Sequence, residues 1–204
     1  MPTPEHTRVY LEVGTRWVFA AALDWPGWCR RARGEEAALE CLTGYAPRYA
    51  AVAGPTFAPG PLHVVARVPG TMTTDFGAPA TLGPGDDEPL PSAEANRLVD
   101  LLEAAWAYFD HTASNAPAIL NKGPRGGGRD RDGIVDHVRR AERSYGSKVG
   151  LRIASESPWD KQRHDLAQAL RAGAPGGAWT APYAIRRLAW HVLDHAWEIE
   201  DKSS

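Results

Sequence analysis

The sequence predicts an α+β protein, a small β-β-β-α-β module followed by an all-α four-helix bundle. Three observations carry this. Residues 8–13, RVYLEV, alternate Val9, Leu11 and Val13 against Arg8, Tyr10 and Glu12 with the period of a half-buried strand. Residues 69–91 hold nine Gly or Pro in 23 positions, too many for a regular element, and read as a linker or wrapping loop between 1–68 and 92–204. From Ser92 onward the apolar residues recur at helical spacing.

In chain order, Gly14-Thr15 reads as a two-residue hairpin turn with Gly at a position needing positive φ, and 16–22, RWVFAAA, as the return strand. A third strand, WCRRAR, leads into a helix starting near Glu35, on which Ala38, Cys41, Leu42 and Tyr45 share a face. Residues 62–68, LHVVARV, close the module. In the linker, DFG at 75–77 stands without a glycine-rich loop, a catalytic lysine or an HRD-type loop, so a kinase reading fails. The first bundle helix starts at a Ser92 cap, with Leu98, Leu101, Leu102, Ala105 and Phe109 inward. The second spans about 133–148. The third opens at Ser157-Pro158-Trp159-Asp160, which has the form of a capping box with proline at the first helical position, and stops at Gly173; the fourth runs from about Pro182 to Asp201. Residues 121–133, NKGPRGGGRDRDG, neither follow a strand nor fit the phosphate-loop pattern, and read as an inter-helix loop.

Composition narrows the function classes. A chain of 204 residues that is 43% hydrophobic fills a core. No window approaches the roughly 18 apolar residues of a membrane span, and MPTPEHTRVYLEV lacks the layout of a signal peptide, so a cytoplasmic protein without a membrane partner is expected. A net charge of −2 supplies no global basic field, which argues against nucleic acid. Cys29 and Cys41 are too few for a four-thiolate zinc site and read as reduced thiols. Arginine outnumbers lysine 19 to 4, a composition of the kind GC-rich bacterial genomes encode.

The chemistry concentrates in 186–201, RRLAWHVLDHAWEIED. At about 100° per residue, His191 and His195 sit about 40° apart and can reach one point. Arg187, Asp194 and Glu198 fall in the same polar stripe, and Arg186 and Glu200 lie roughly opposite, where they are expected to mark solvent and turn the histidines inward. The spacing alone leaves packing and metal ligation both open, since His-x-x-x-His lacks the glutamate of the metalloprotease motif. His137 borders the apolar stripe Ile134, Val138, Ala141 and Tyr145 of the second bundle helix, so three imidazoles on two helices can converge, leaving one position open as in catalytic zinc sites. His6, His63 and His164 read as solvated or locally bonded, and His111 as a weak candidate partner of the site.

Two resemblances follow from these residues. Residues 8–68, with ALDWPGWCRRARGEEAALECL at the centre, resemble the HicB family, whose partial RNase-H-like fold carries a proline-glycine turn before a strand and an alanine-rich helix. The DNA-binding segment HicB antitoxins usually add has no counterpart here, so the module does not imply a toxin-antitoxin role. Residues 92–204, through DHVRRAERSYGSKVGL and RRLAWHVLDHAWEIED, look like the DinB-like superfamily of metal-binding four-helix bundles. That resemblance implies His137, His191 and His195 as ligands of a divalent metal, zinc first and nickel second. It implies a thiol-dependent transferase or isomerase, or a hydrolase, acting on a small-molecule substrate, with a low-molecular-weight thiol as the co-substrate that reaches the metal, and a homodimer. Arg187 and Arg140 are then candidates to pair a substrate carboxylate, and Glu198 and Asp194 to orient a ligand histidine. The alternative is a non-catalytic metal-binding or protein-interaction module.

Overall fold

The computed structural model describes residues 6–122, 128–174 and 176–203. The inter-helix loop read at 121–133 and the N-terminal tail fall partly outside these. Strands β1 (Thr7–Val13), β2 (Val18–Ala22), β3 (Cys29–Ala32) and β4 (Leu62–Pro69) form one sheet in the order β3-β2-β1-β4. The first three are antiparallel neighbours and β4 runs parallel to β1, the crossover being made by α1 (Glu35–Gly44) and α2 (Ala46–Ala53). The predicted β-β-β-α-β order is therefore present, with α2 as an addition. Pro47, in the first turn of α2, lacks the N–H that would carry the ladder of α1 onward, so the chain restarts as a second helix.

The segment 69–91 contains one regular element where its Gly and Pro content predicts none. Helix α3 (Met72–Phe76) lies inside it, and the segment forms a strap clamped by carboxylates. Glu12, fully buried on β1, accepts from the Thr74 hydroxyl and from the amides of Ala80 (2.9 Å) and Thr81 (3.1 Å); Asp86, also fully buried, accepts from Gly83 N at 2.6 Å. The strap also explains why β1 is not half-exposed. Val9 and Leu11 enter the main core, while Tyr10 (4% exposed) packs on the opposite face with Phe19, Cys29 and Trp190.

The two-residue hairpin is likewise replaced by a four-residue loop, Gly14 to Trp17, closed by Gly14 N to Trp17 O at 2.9 Å, and Gly14 does not take positive φ. It is needed for close approach, since a Cβ there would run into the Asp75 carboxylate. Asp75 accepts from the Thr15 hydroxyl (2.6 Å) and from the amides of Thr15 (3.1 Å) and Arg16 (2.7 Å). The Thr15 hydroxyl bond first, then the amides, hold its carboxyl down to about 2. A carboxyl depressed on folding stabilises the fold above its unfolded pKa of about 4 and loses that contribution as pH falls toward 2. Asp75→Asn is thus expected to remove part of the acid-induced stability loss between about pH 4 and about pH 2, read by denaturant melts at stepped pH; an unchanged acid limb would contradict this.

The C-terminal half comprises α4 (Ser92–Asn115), α5 (Arg131–Lys148), α6 (Trp159–Arg171) and α7 (Ala181–Ser203), packed as a bundle in which α7 lies along α4 and also touches α5 and α6. The expected caps are absent: Pro91 and Pro158 occupy the N-cap positions and neither helix has a side-chain cap. Helix α7 differs from expectation in a way that matters for the site. Arg186 and Glu200 do not mark solvent, because Arg186 pairs with buried Asp86 of the strap and Glu200 accepts from Tyr108 and from Arg48 (2.8 Å) of α2. One apolar cluster runs from Val9 and Leu11 of the sheet through Val99 and Phe109 of α4 to Leu188, Val192 and Trp197 of α7. The helix is covered on nearly every side, so its polar residues need partners inside the protein.

Candidate metal centre

Helical spacing on α7 places His191 and His195 on one face, and the packing of α5 against α7 brings His137 to them. The imidazole centroids form a tight triangle: 5.1 Å for His137–His191, 4.9 Å for His137–His195 and 4.7 Å for His191–His195. One ring nitrogen from each lies within 4.8 Å of the others, and this group could hold a metal ion. His137 Nε2 and His191 Nε2 are 3.2 Å apart. Four ligands at zinc–nitrogen bonds of 2.0–2.1 Å stand about 3.3 Å from one another at a tetrahedral centre, so this pair already has the spacing of two ligands. Among the described residues the group holds no fourth acidic, cysteine or histidine ligand.

Electrostatics favour the ligating form. Burial, then the neighbouring His195 and His137 rings, pushes His191 well below the ordinary imidazole value; burial, then His195, moves His137 in the same direction. Neutral imidazoles present the lone pairs a divalent ion requires. His195 is fixed from behind, its Nδ1 2.8 Å from Glu198 Oε2, which leaves Nε2 to face the cluster. Burial raises the Glu198 carboxyl, but the hydrogen bonds from His195 and Lys202 outweigh it and hold the group at about 2. Glu198 is a carboxylate throughout the neutral range.

Of the other sequence candidates, Glu198 reaches a histidine and Asp194 does not. Asp194 pairs with Arg30 of β3 at 2.9 Å. Arg140 pairs with Asp136 one turn earlier on the solvent side of α5. Arg187 lies one turn before His191, its guanidinium 4.8 Å from the Trp190 ring and 5.8 Å from Tyr145, and Tyr145 in turn is 5.6 Å from His191. His111 stays with Asn115 on the surface of α4, His6 with His63, and His164 is exposed. Sequence reasoning missed Lys202, although its spacing four residues after Glu198 was legible as a helical ion pair; it also missed Arg30, for which no local signal exists.

No protein-family model matches this chain, and neither a curated protein nor a solved structure matches it significantly. What the fold and site define is a mixed four-stranded sheet module packed on a helical bundle that carries a three-histidine cluster fit for a divalent metal.

A partner that orients a ligand histidine sets the ligand's tautomer, and losing such a partner typically lowers metal affinity about 10–100-fold. Glu198→Gln is expected to weaken zinc binding by a factor in that range while the far-ultraviolet circular dichroism stays unchanged; competition with a chromophoric chelator reads it. Unaltered affinity would leave Glu198 a surface partner of Lys202.

Proposed function

We propose that this protein is a divalent-metal-dependent enzyme in which His137, His191 and His195 hold the ion and a fourth position stays open for a small molecule. The observation that supports this most directly is the convergence of three imidazoles from two helices with no fourth ligand in the group among the described residues. A purely structural zinc site would be closed by a fourth protein ligand. Zinc is the first candidate and nickel the second. When bound, such an ion polarises a ligand and lowers the pKa of a water or thiol, which is the chemistry of hydrolases and of thiol-dependent transferases and isomerases. The resemblance to DinB-like bundles points the same way, toward a low-molecular-weight thiol as co-substrate and a homodimeric assembly.

This chain's own residues supply the rest of the site. Glu198 orients His195, and Lys202 holds Glu198 in place. The division into a sheet module at 1–68, a strap at 69–91 and a bundle at 92–204 is proposed as a working unit in which the strap closes over α7 near the histidines, through the Arg186–Asp86 pair and the Pro79 carbonyl that accepts from Arg187.

The test is metal analysis of tag-free protein by mass spectrometry, before and after chelation and reloading with zinc or nickel. About one ion per chain, removable and restorable, is the expected result. Metal-free protein that takes up neither ion would leave the His137–His191 contact as an N–H···N hydrogen bond and the cluster as packing.

A further inference from the structure

Three of the inward-turned arginines stand against carboxylates: Arg30 with Asp194 at 2.9 Å, Arg163 with Glu142 at 3.0 Å, and Arg186 with Asp86. Arg187 departs from that rule. Its Nη1 donates to the Pro79 carbonyl, its Nε is hidden from solvent without a partner, and among the described residues no carboxylate pairs with it. A guanidinium cannot shed its charge, so one drawn out of water without a counter-charge is costly. The Trp190 and Tyr145 rings offset part of that cost and replace none of the missing negative charge.

We propose that Arg187 seats a carboxylate carried by the small molecule that reaches the three-histidine centre, so that the substrate class is a carboxylic acid. This rests on the metal reading above and adds the substrate's charge to it. Arg187 and His191 are four residues apart on α7, which separates the carboxylate from the reacting end by about one helical turn, or roughly 6 Å. With Nη1 held by Pro79, the Nε–Nη2 edge remains, two parallel donors that match two carboxylate oxygens. Pro79 is itself held in place, because Glu12 fixes the next two amides of the strap. Tyr145 and Trp190 wall the seat and suit a flat apolar body. The cavity on the sheet side of Arg187 measures about 20 Å³, enough for one water and too small for a carboxylate. The carboxylate is therefore placed on the Tyr145 and His191 side of Arg187.

The experiment titrates benzoate and benzamide, equal in shape and different in charge, into the zinc-loaded full chain by calorimetry. Wild type is expected to prefer benzoate by at least about tenfold, a difference of about 1.4 kcal/mol. Arg187→Gln is expected to lose the preference while keeping its zinc, and Arg187→Lys, which keeps the charge without the planar fork, to retain part of it. Because a carboxylate can also bind zinc directly, His195→Ala is the deciding arm: a preference that survives there belongs to Arg187. A preference lost in His195→Ala and kept in Arg187→Gln overturns the proposal, as does no preference in wild type. A wild type that binds no zinc and still prefers benzoate overturns the metal reading alone. If Arg187→Gln fails to fold, Arg187→Lys and His195→Ala still decide the matter.

Discussion

His195→Ala and His191→Ala are each expected to weaken zinc binding by more than about 100-fold, because removal of even an orienting partner costs 10–100-fold and these residues supply the nitrogens themselves. The physical basis is the closeness of the set. With one ring nitrogen of each imidazole within 4.8 Å of the others, an ion there would be held by three imidazole nitrogens at once, and loss of one would leave two. The same change appears in stability. An ion that binds only the folded chain stabilises it by RT ln(1 + [L]/Kd), about 2.7 kcal/mol at a hundredfold excess over Kd, so wild type should melt several degrees higher with zinc than without. Both variants should lose that increment. His191 is 7% exposed and His195 partly exposed, so the metal-free His191→Ala protein will also pay for a small cavity, and the comparison must be made between metal-free and loaded forms of each chain. Equal zinc-dependent melting shifts in all three proteins would place the ion elsewhere.

How much of this was legible without coordinates depends on the range of the interaction. The His191–His195 pair and the Glu198 contact lie three and four residues apart on one helix, where phase alone predicts encounter. His137 was legible because it borders an apolar stripe that must face inward. The sequence could not show that Asp194 is claimed by Arg30, 164 residues away, or that Arg186 and Glu200 are covered by the strap and by α2. Each of those errors has one cause: a helix wheel assigns faces relative to one neighbour, and α7 has neighbours on nearly all sides. The strap failed for a different reason. Its Gly and Pro content correctly excludes long elements, but its order comes from Glu12 and Asp86, buried carboxylates that hold backbone amides of the strap, and contacts to amides leave no sequence signature.

The inward face of α5 is buried at Ile134 and Val138 as expected but centres on a charged residue the apolar stripe left out, and the consequence is the largest stability effect expected in the bundle. Glu142, not Ala141, lies at the centre of that face, 1% exposed, and accepts from Arg163 Nε at 3.0 Å and Nη2 at 3.1 Å and from the Trp159 indole at 2.5 Å. Arg163 also pairs with Asp110 of α4 at 2.8 Å, so the cluster ties α4, α5 and α6 together. Arg163→Ala strands a buried carboxylate and is expected to cost about 3–5 kcal/mol, on the order of 10 °C in Tm for a chain of this size. Burial, the largest influence, already raises the Glu142 pKa against the opposing pull of Arg163; without Arg163 the rise grows and Glu142 takes up a proton in the folded state. A carboxyl whose folded pKa is raised favours the fold below its unfolded value, near 4.3, and loses that advantage as pH increases through the folded value. The deficit of Arg163→Ala relative to wild type should therefore shrink as pH falls from about 7 toward about 4.3. A double replacement, Glu142→Leu with Arg163→Met, should recover most of the loss, because an apolar pair of similar volume carries neither charge nor its desolvation penalty. Urea melts of the three proteins at pH 7 and pH 5 measure both effects. If the double variant is as unstable as Arg163→Ala at both values, the cluster contributes through the stacking of Arg163 on Trp159, 4.0 Å from the ring centre, and the charge argument fails.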